Sequence, residues 1–186
     1  MSEALVKQYG DYKNLFSYRK ADVIYQLTYY FCETYMNRSK DRTVDQMVQA
    51  ARSGKQNISE GYTDFATSMK TGIHLVNVAK GSLIELKEDY IDYLRTRGLK
   101  QWEPHSEQVA AMKHLASVHN DAEYYLKLAQ TRSDDTIANM AICLLEQTDY
   151  LLYKLLAWMS AEFENNGGFT ERMYNWRKKS RGDEKK

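Results

Sequence analysis

Apolar residues recur along this chain at alternating intervals of three and four, the spacing that collects them on one side of an α-helix. Residues 17–38 carry Ile24, Leu27, Phe31 and Tyr35 in this pattern. A polar break, NRSKDR, follows, and Thr43 stands where it would cap a second helix over 44–66, with Met47 and Ile58 directed to a core. Thr67 or Ser68 opens a third helix that runs to Thr96 and stops at Arg97-Gly98, with the stripe Val76, Ala79, Leu83, Leu86, Tyr90 and Leu94. The passage GLKQWEP is a connection, placing Pro104 in the first turn of a fourth helix over 105–131. Ser133 or Asp134 caps a fifth, 135–165, in which Ile137, Ala141, Leu144, Thr148, Leu151, Leu155 and Trp158 form a heptad seam with one polar member. Asn165-Asn166-Gly167-Gly168 ends it. No stretch has the period-two alternation of a strand. The pattern predicts an all-α fold: an antiparallel up-and-down four-helix bundle with an additional helix and a C-terminal tail.

A chain of 186 residues is long enough to bury one substantial core. The expected division is a single helical domain over 1–171, with the extra segment at about 102–131, followed by a tail over 172–186. Proline occurs once, consistent with long uninterrupted helices. No apolar run approaches the ~20 residues of a membrane span, and the first residues, MSEALVKQYG, lack the apolar centre of a signal peptide. The expectation is a cytoplasmic protein without membrane contact. Cys32 and Cys143 both lie in apolar helical patterns and read as buried thiols.

Charge separates the tail from the rest. The formal net charge is +1, but the tail holds seven Lys or Arg against two Asp or Glu, so residues 1–171 carry a net −4. Binding to nucleic acid draws its affinity from neutralised phosphates. The contact candidates are therefore Arg172, Arg177, Lys178, Lys179 and Arg181, with a simple solvated end as the plainer account.

The second predicted helix contains an unusual passage, ARSGKQNISEGYTD, with two glycines, an asparagine and two serines. Its Gly54-Lys55 pair is not a phosphate loop. Such a loop needs a glycine five residues earlier and a Ser or Thr after the lysine, whereas both positions, 49 and 56, are Gln. The upstream residues are helical in pattern instead of a strand. Ala50, Ser53 or Gly54, Asn57 and Gly61 recur at three or four, so they share one helix face. The third helix offers Gly81-Ser82 as a second flat spot, with Glu85 one turn on. A mid-helix glycine costs about 1 kcal/mol relative to alanine, and close helix approach is the expected return at Gly54, Gly61 and Gly81.

Asn57-Ile58-Ser59-Glu60-Gly61-Tyr62, followed by Gly81-Ser82-Leu83-Ile84-Glu85-Leu86, resembles the paired signature of the 23S ribosomal RNA intervening-sequence proteins, whose motifs read NIAEG and GSLxEL. Ser59 stands where that family has alanine. The segment 102–131 and the ending GGFTERMY resemble its longer branch, which carries a four-helix-bundle suffix domain. The resemblance implies a four-helix bundle, a homopentameric assembly and no established enzymatic activity. A related branch serves as the accessory protein of diversity-generating retroelements, binding a reverse transcriptase and nucleic acid through a basic surface.

Glu60 and Glu85 are the carboxylates that chemistry would use, since both lie on helices expected to touch. Arg52, Lys55, Lys80, Arg19 and Lys20 are candidate partners for them. A polar network of Asn57, Glu60 and Glu85 that sets helix register is the plainer role, because no nucleophile, base and orienting group occur together. Metal chemistry lacks its ligand patterns: the residues three before His74, His105, His114 and His119 are Thr, Trp, Ala and Ala, so no Glu-x-x-His pair exists. No cofactor is implied. The fifteen tyrosines and three tryptophans include Tyr25, Tyr29, Tyr30 and Tyr35 on the first helix and Tyr150, Tyr153 and Trp158 on the fifth. They suit a bundle rim or an interface. Phe169, Met173 and Trp176 in FTERMYNW mark a short amphipathic segment that needs a surface to dock on. Together these features favour a non-enzymatic, self-assembling scaffold or binding protein. A nucleic-acid-binding accessory acting through the tail stands second, and an enzyme using Glu60 and Glu85 third.

Overall fold

Six α-helices and one 3-10 turn account for the ordered elements of the computed structural model, which describes residues 9–39 and 41–167 together with 171, 173, 174 and 176–178. After the turn at Tyr12–Asn14 come α1 (Phe16–Tyr35), α2 (Thr43–Asp64), α3 (Met69–Thr96), α4 (Glu107–Val118), α5 (Ala122–Ala129) and α6 (Asp134–Asn166). No strand occurs among the described residues.

The helix ends follow local hydrogen bonding. Thr43 is the first residue of α2 and no cap; the Asp41 carboxylate caps by accepting from the Thr43 N–H at 3.0 Å. Ser68 holds the cap position of α3, but its hydroxyl is bonded to Thr71. Pro104 precedes α4 instead of entering it, and Ser106 caps by accepting from the Val109 N–H. At the far end of α6, Gly167 takes φ +64° and its N–H reaches the Phe163 carbonyl.

The continuous fourth helix expected over 105–131 is two helices. His119 is extended, ending α4, and Asp121 is extended with its side chain accepting from the Tyr124 N–H at 2.8 Å, starting α5. The His119 ring stacks on Tyr124 at 3.7 Å, and the Tyr125 hydroxyl donates to the His119 carbonyl. A capping Asp in mid-pattern overrides the helical periodicity around it.

The apolar stripes meet in one core. α1 packs on α2 and α6, and α3 packs on the same two from the other side. Contacts fix the directions. Lys55 pairs with Asp22, Ser53 meets Ser82, Lys80 pairs with Asp149, and Tyr35 reaches Arg132, so each of these neighbouring pairs runs antiparallel. Ile24, Leu27, Phe31, Met47, Ile58, Val76, Ala79, Leu86 and Tyr90 are fully buried there. Inside it the Tyr90 hydroxyl donates to Thr28 Oγ1 at 3.0 Å, so the deepest phenol has its partner.

α4 lies against α6 and α5 against α1, forming a second layer. This layer changes the burial of α6. From Ile137 to Leu145 every residue is buried, because α6 is covered on more than its bundle side there. Further along, Leu152 and Met159 hold the core positions, while Leu151 is only half-buried and Trp158 is 40% exposed, so the expected heptad seam is correct only as far as Thr148 and at Leu155. Asn139, buried within this run, ties down the connection before α4. Its Oδ1 accepts from the Trp102 N–H at 2.7 Å, and its amide donates to the Lys100 and Asp135 carbonyls.

Candidate functional site

The α2–α3 contact brings the signature residues together, but not in the arrangement their sequence suggested. Two close approaches define it. A Cβ on Gly54 would lie 2.5 Å from Leu83 Cδ2, and one on Gly61 would lie 2.8 Å from the Gly72 carbonyl oxygen. Reciprocally, a Cβ on Gly72 would meet the Gly61 carbonyl oxygen at 2.6 Å and the Phe65 backbone at 2.9 Å. Glycine is required at these points because the two helices touch through their backbones. Gly72 was not singled out in the sequence, although it stands four residues before Val76 on the buried stripe of α3.

Gly81 corrects the expectation. It is exposed, and a Cβ there would meet nothing within 4 Å, so it is not a flat spot for α2. The residue that answers Gly54 is Leu83.

Between the two close approaches runs a polar thread. The Asn57 amide donates to the Ser53 carbonyl at 2.9 Å and to its hydroxyl at 3.1 Å, and the Ser53 and Ser82 hydroxyls are 3.1 Å apart across the helices. Asn57 and Ser82 are thus part of a register contact. Glu60 and Glu85 are not, since both are exposed. The register places Glu60 level with Leu75 and Glu85 level with Ala50, a separation along the helices of roughly 15 Å. The two carboxylates do not form a pair.

Their candidate partners are engaged elsewhere. Lys55 pairs with Asp22 at 3.2 Å and lies over the Tyr25 ring; Lys80 pairs with Asp149 at 3.2 Å. Arg19 bonds the Lys13 carbonyl and Asn14.

An open groove of about 880 Å³ runs along α2 and α3, lined in part by Arg38, Gln49, Ser53, Ser82, Glu85 and Asp89. Burial, then the nearby charges of Asp92 and Glu85, raise the Asp89 carboxyl above the ordinary carboxylate range. Arg38, its one cation, already pairs with Asp45 at 2.8 Å and with Glu33. A smaller cleft between α3 and α6 is lined by Lys80, Ile84, Lys87, Leu145, Glu146 and Asp149. Neither space joins a nucleophile to a base. Among the described residues no group of three His, Cys, Asp or Glu side chains is placed to hold a metal ion, and no helix is long and apolar enough to cross a membrane.

Lys20 is the buried cation that sequence reasoning misplaced. It is 2% exposed, and its ammonium donates to the carbonyls of Ala116 and His119 at the end of α4, with the Tyr125 ring beside it. A cation here satisfies carbonyls that the helix end leaves open. Burial pushes its pKa down to about 8, against the opposing pull of Asp121. Lys20 therefore clasps the second layer to α1 and contacts no carboxylate of the signature.

Both cysteines are free and buried, as expected, and burial pushes their thiols up to about 12 at Cys32 and about 11 at Cys143. Of the basic tail, Arg177 and Lys178 are exposed on helical backbone, with Tyr174 and Trp176 exposed near them. Arg172, Lys179 and Arg181 lie outside the described residues, as does Phe169. Comparison with protein-family models, with curated proteins and with solved structures yields no match to this chain.

Proposed function

We propose that this protein is a non-enzymatic, self-assembling four-helix-bundle scaffold or binding module. In this reading α1, α2, α3 and α6 form an antiparallel up-and-down bundle, with α4 and α5 as an added layer. One observation carries the proposal: large apolar side chains stand outward on the long helices. Tyr150 and Tyr153 are each 59% exposed on α6, Trp158 is 40% exposed, and Val78 and Ile84 are exposed on α3. Aromatic side chains with a polar tip are favoured at protein interfaces, where they bury large area at small entropic cost. The resemblance to the ribosomal RNA intervening-sequence proteins supports a cytoplasmic assembly of five copies. Native mass spectrometry of the gently purified chain tests this, and a monomer at micromolar concentration would refute it.

The tail carries the second reading, a nucleic-acid-binding accessory role. Arg177 and Lys178 are exposed beside Trp176 and Tyr174, which joins cations to rings able to stack on bases. Binding to single-stranded RNA or DNA that weakens steeply with salt and vanishes on removal of the residues after Tyr174 would support it. Binding that survives the truncation would exclude the tail as the contact. An enzyme built on Glu60 and Glu85 is disfavoured by their separation.

A further inference from the structure

Gly54, Gly61 and Gly72 each sit where the chain itself needs the missing side chain, but Gly81 does not. It lies in the middle of α3, exposed, at a cost of about 1 kcal/mol relative to alanine with no contact in the chain to offset it. The outward face around it is ordered. Lys70, His74, Asn77, Val78, Gly81, Ile84, Glu85, Glu88 and Asp92 follow one another at helical spacing, and all are exposed.

Read outward from Gly81, this face is complementary to its own reverse. Val78 and Ile84 stand at equal distances on either side, and both are apolar, 39% and 43% exposed. Next come Asn77 and Glu85, then His74 and Glu88, then Lys70 and Asp92. The arm toward the N-terminus is basic and the arm toward the C-terminus is acidic. That order runs against the helix dipole, which favours anions at the N-terminal end and cations at the C-terminal end. Among the described residues, Lys70, His74 and Glu88 make no ion pair that would explain their placement.

We propose that this face of α3 is an isologous contact between two copies of the chain, with the helices antiparallel and crossing at Gly81. Two-fold symmetry then forms every pairing twice: Val78 on the second copy's Ile84, His74 on its Glu88, and Lys70 on its Asp92. Glycine at the crossing lets the backbones approach as α2 and α3 do at Gly61 and Gly72. A parallel arrangement would set like charge on like and is disfavoured by the same residues. The stripe from Lys70 to Asp92 is roughly 33 Å long. One helix pair lies at the small end of stable interfaces, so the contact is expected to dissociate on dilution through the micromolar range. It presupposes the self-assembly proposed above, but not the number five: every assembly held by it has an even number of copies.

Sedimentation velocity of the full chain at pH 7, from low to high micromolar concentration, tests the contact with three variants. His74→Glu places like charges opposite each other twice and should weaken association by about tenfold or more. Combining it with Glu88→Lys restores opposite charges and should restore association. Gly81→Gln should hold the copies apart while leaving helix content by circular dichroism unchanged, because its side chain meets nothing within the chain. A wild-type protein that stays monomeric throughout overturns both this contact and self-assembly. An oligomer indifferent to His74→Glu, one not rescued by the double variant, or an odd-numbered ring overturns the α3 contact and leaves self-assembly standing.

Discussion

Adding one methyl group to α3 should have opposite effects at two glycines 9 residues apart. In Gly72→Ala the new Cβ would lie 2.6 Å from the Gly61 carbonyl oxygen, 2.8 Å from Phe65 Cβ and 2.9 Å from Phe65 Cα. Two of these neighbours are backbone atoms of α2 and its end, so relief requires the helices to separate. Overpacking of a core by a methyl costs about 1–3 kcal/mol, and backbone contact places this site near the upper end. Alanine returns about 1 kcal/mol of helix propensity. The net expectation is a loss of about 2 kcal/mol, or roughly 4–8 °C in Tm for a domain of this size. In Gly81→Ala the Cβ meets nothing, so only the propensity term acts and Tm should rise by roughly 2–4 °C. Thermal and urea unfolding followed by helical circular dichroism would measure both. Working at two protein concentrations separates any contribution of self-association, which appears as a concentration dependence. A Gly72→Ala protein as stable as wild type, or more stable, would refute the backbone contact between α2 and α3.

Two further outcomes follow from buried polar groups in the second layer. Asn139→Ala leaves the Trp102 N–H and the Lys100 carbonyl without their partner, so stability should fall by about 1–3 kcal/mol, with hydrogen exchange accelerating at Trp102. Lys20 has a folded pKa near 8, below its ordinary 10.5, so the unfolded chain binds more protons between those values. Stability should therefore rise with pH above about 8, by at most ~1.4 kcal/mol per unit. The comparison with Lys20→Met by urea unfolding isolates this slope, since the variant lacks it. The useful window closes near pH 10, where burial raises the pKa of Tyr90, Tyr93 and Tyr125 and their unfolded-state ionisation begins to oppose folding.

The helical periodicity identified the four long helices to within a few residues at their ends, and it named most of the core of α1, α2 and α3. The reason is local. A residue's neighbours at three and four are set by the helix itself, so the stripe from Val76 to Leu94 is visible before any partner is known. The same locality explains the error between 105 and 131. The periodic pattern continues through His119-Asn120-Asp121, and the break is made by a cap at Asp121 and by a lysine from α1 that arrives nearly a hundred residues earlier in the chain.

The signature passage divides in the same way. That Gly54, Asn57 and Gly61 share a face is a property of α2 alone. Which residues meet that face depends on the register between two helices, and register placed Leu83 on Gly54 and Gly72 on Gly61 while turning Gly81 outward. Register also set Glu60 and Glu85 apart, removing a carboxylate pair that proximity in motif had suggested, and it committed Lys55 and Lys80 to Asp22 and Asp149. The sequence by itself determined the helical class, the buried stripes and the basic ending, because each is written in spacing or composition within one element. Tertiary structure alone decided which glycines are filled by a neighbour and which is left open, because that depends on the backbone distance between elements.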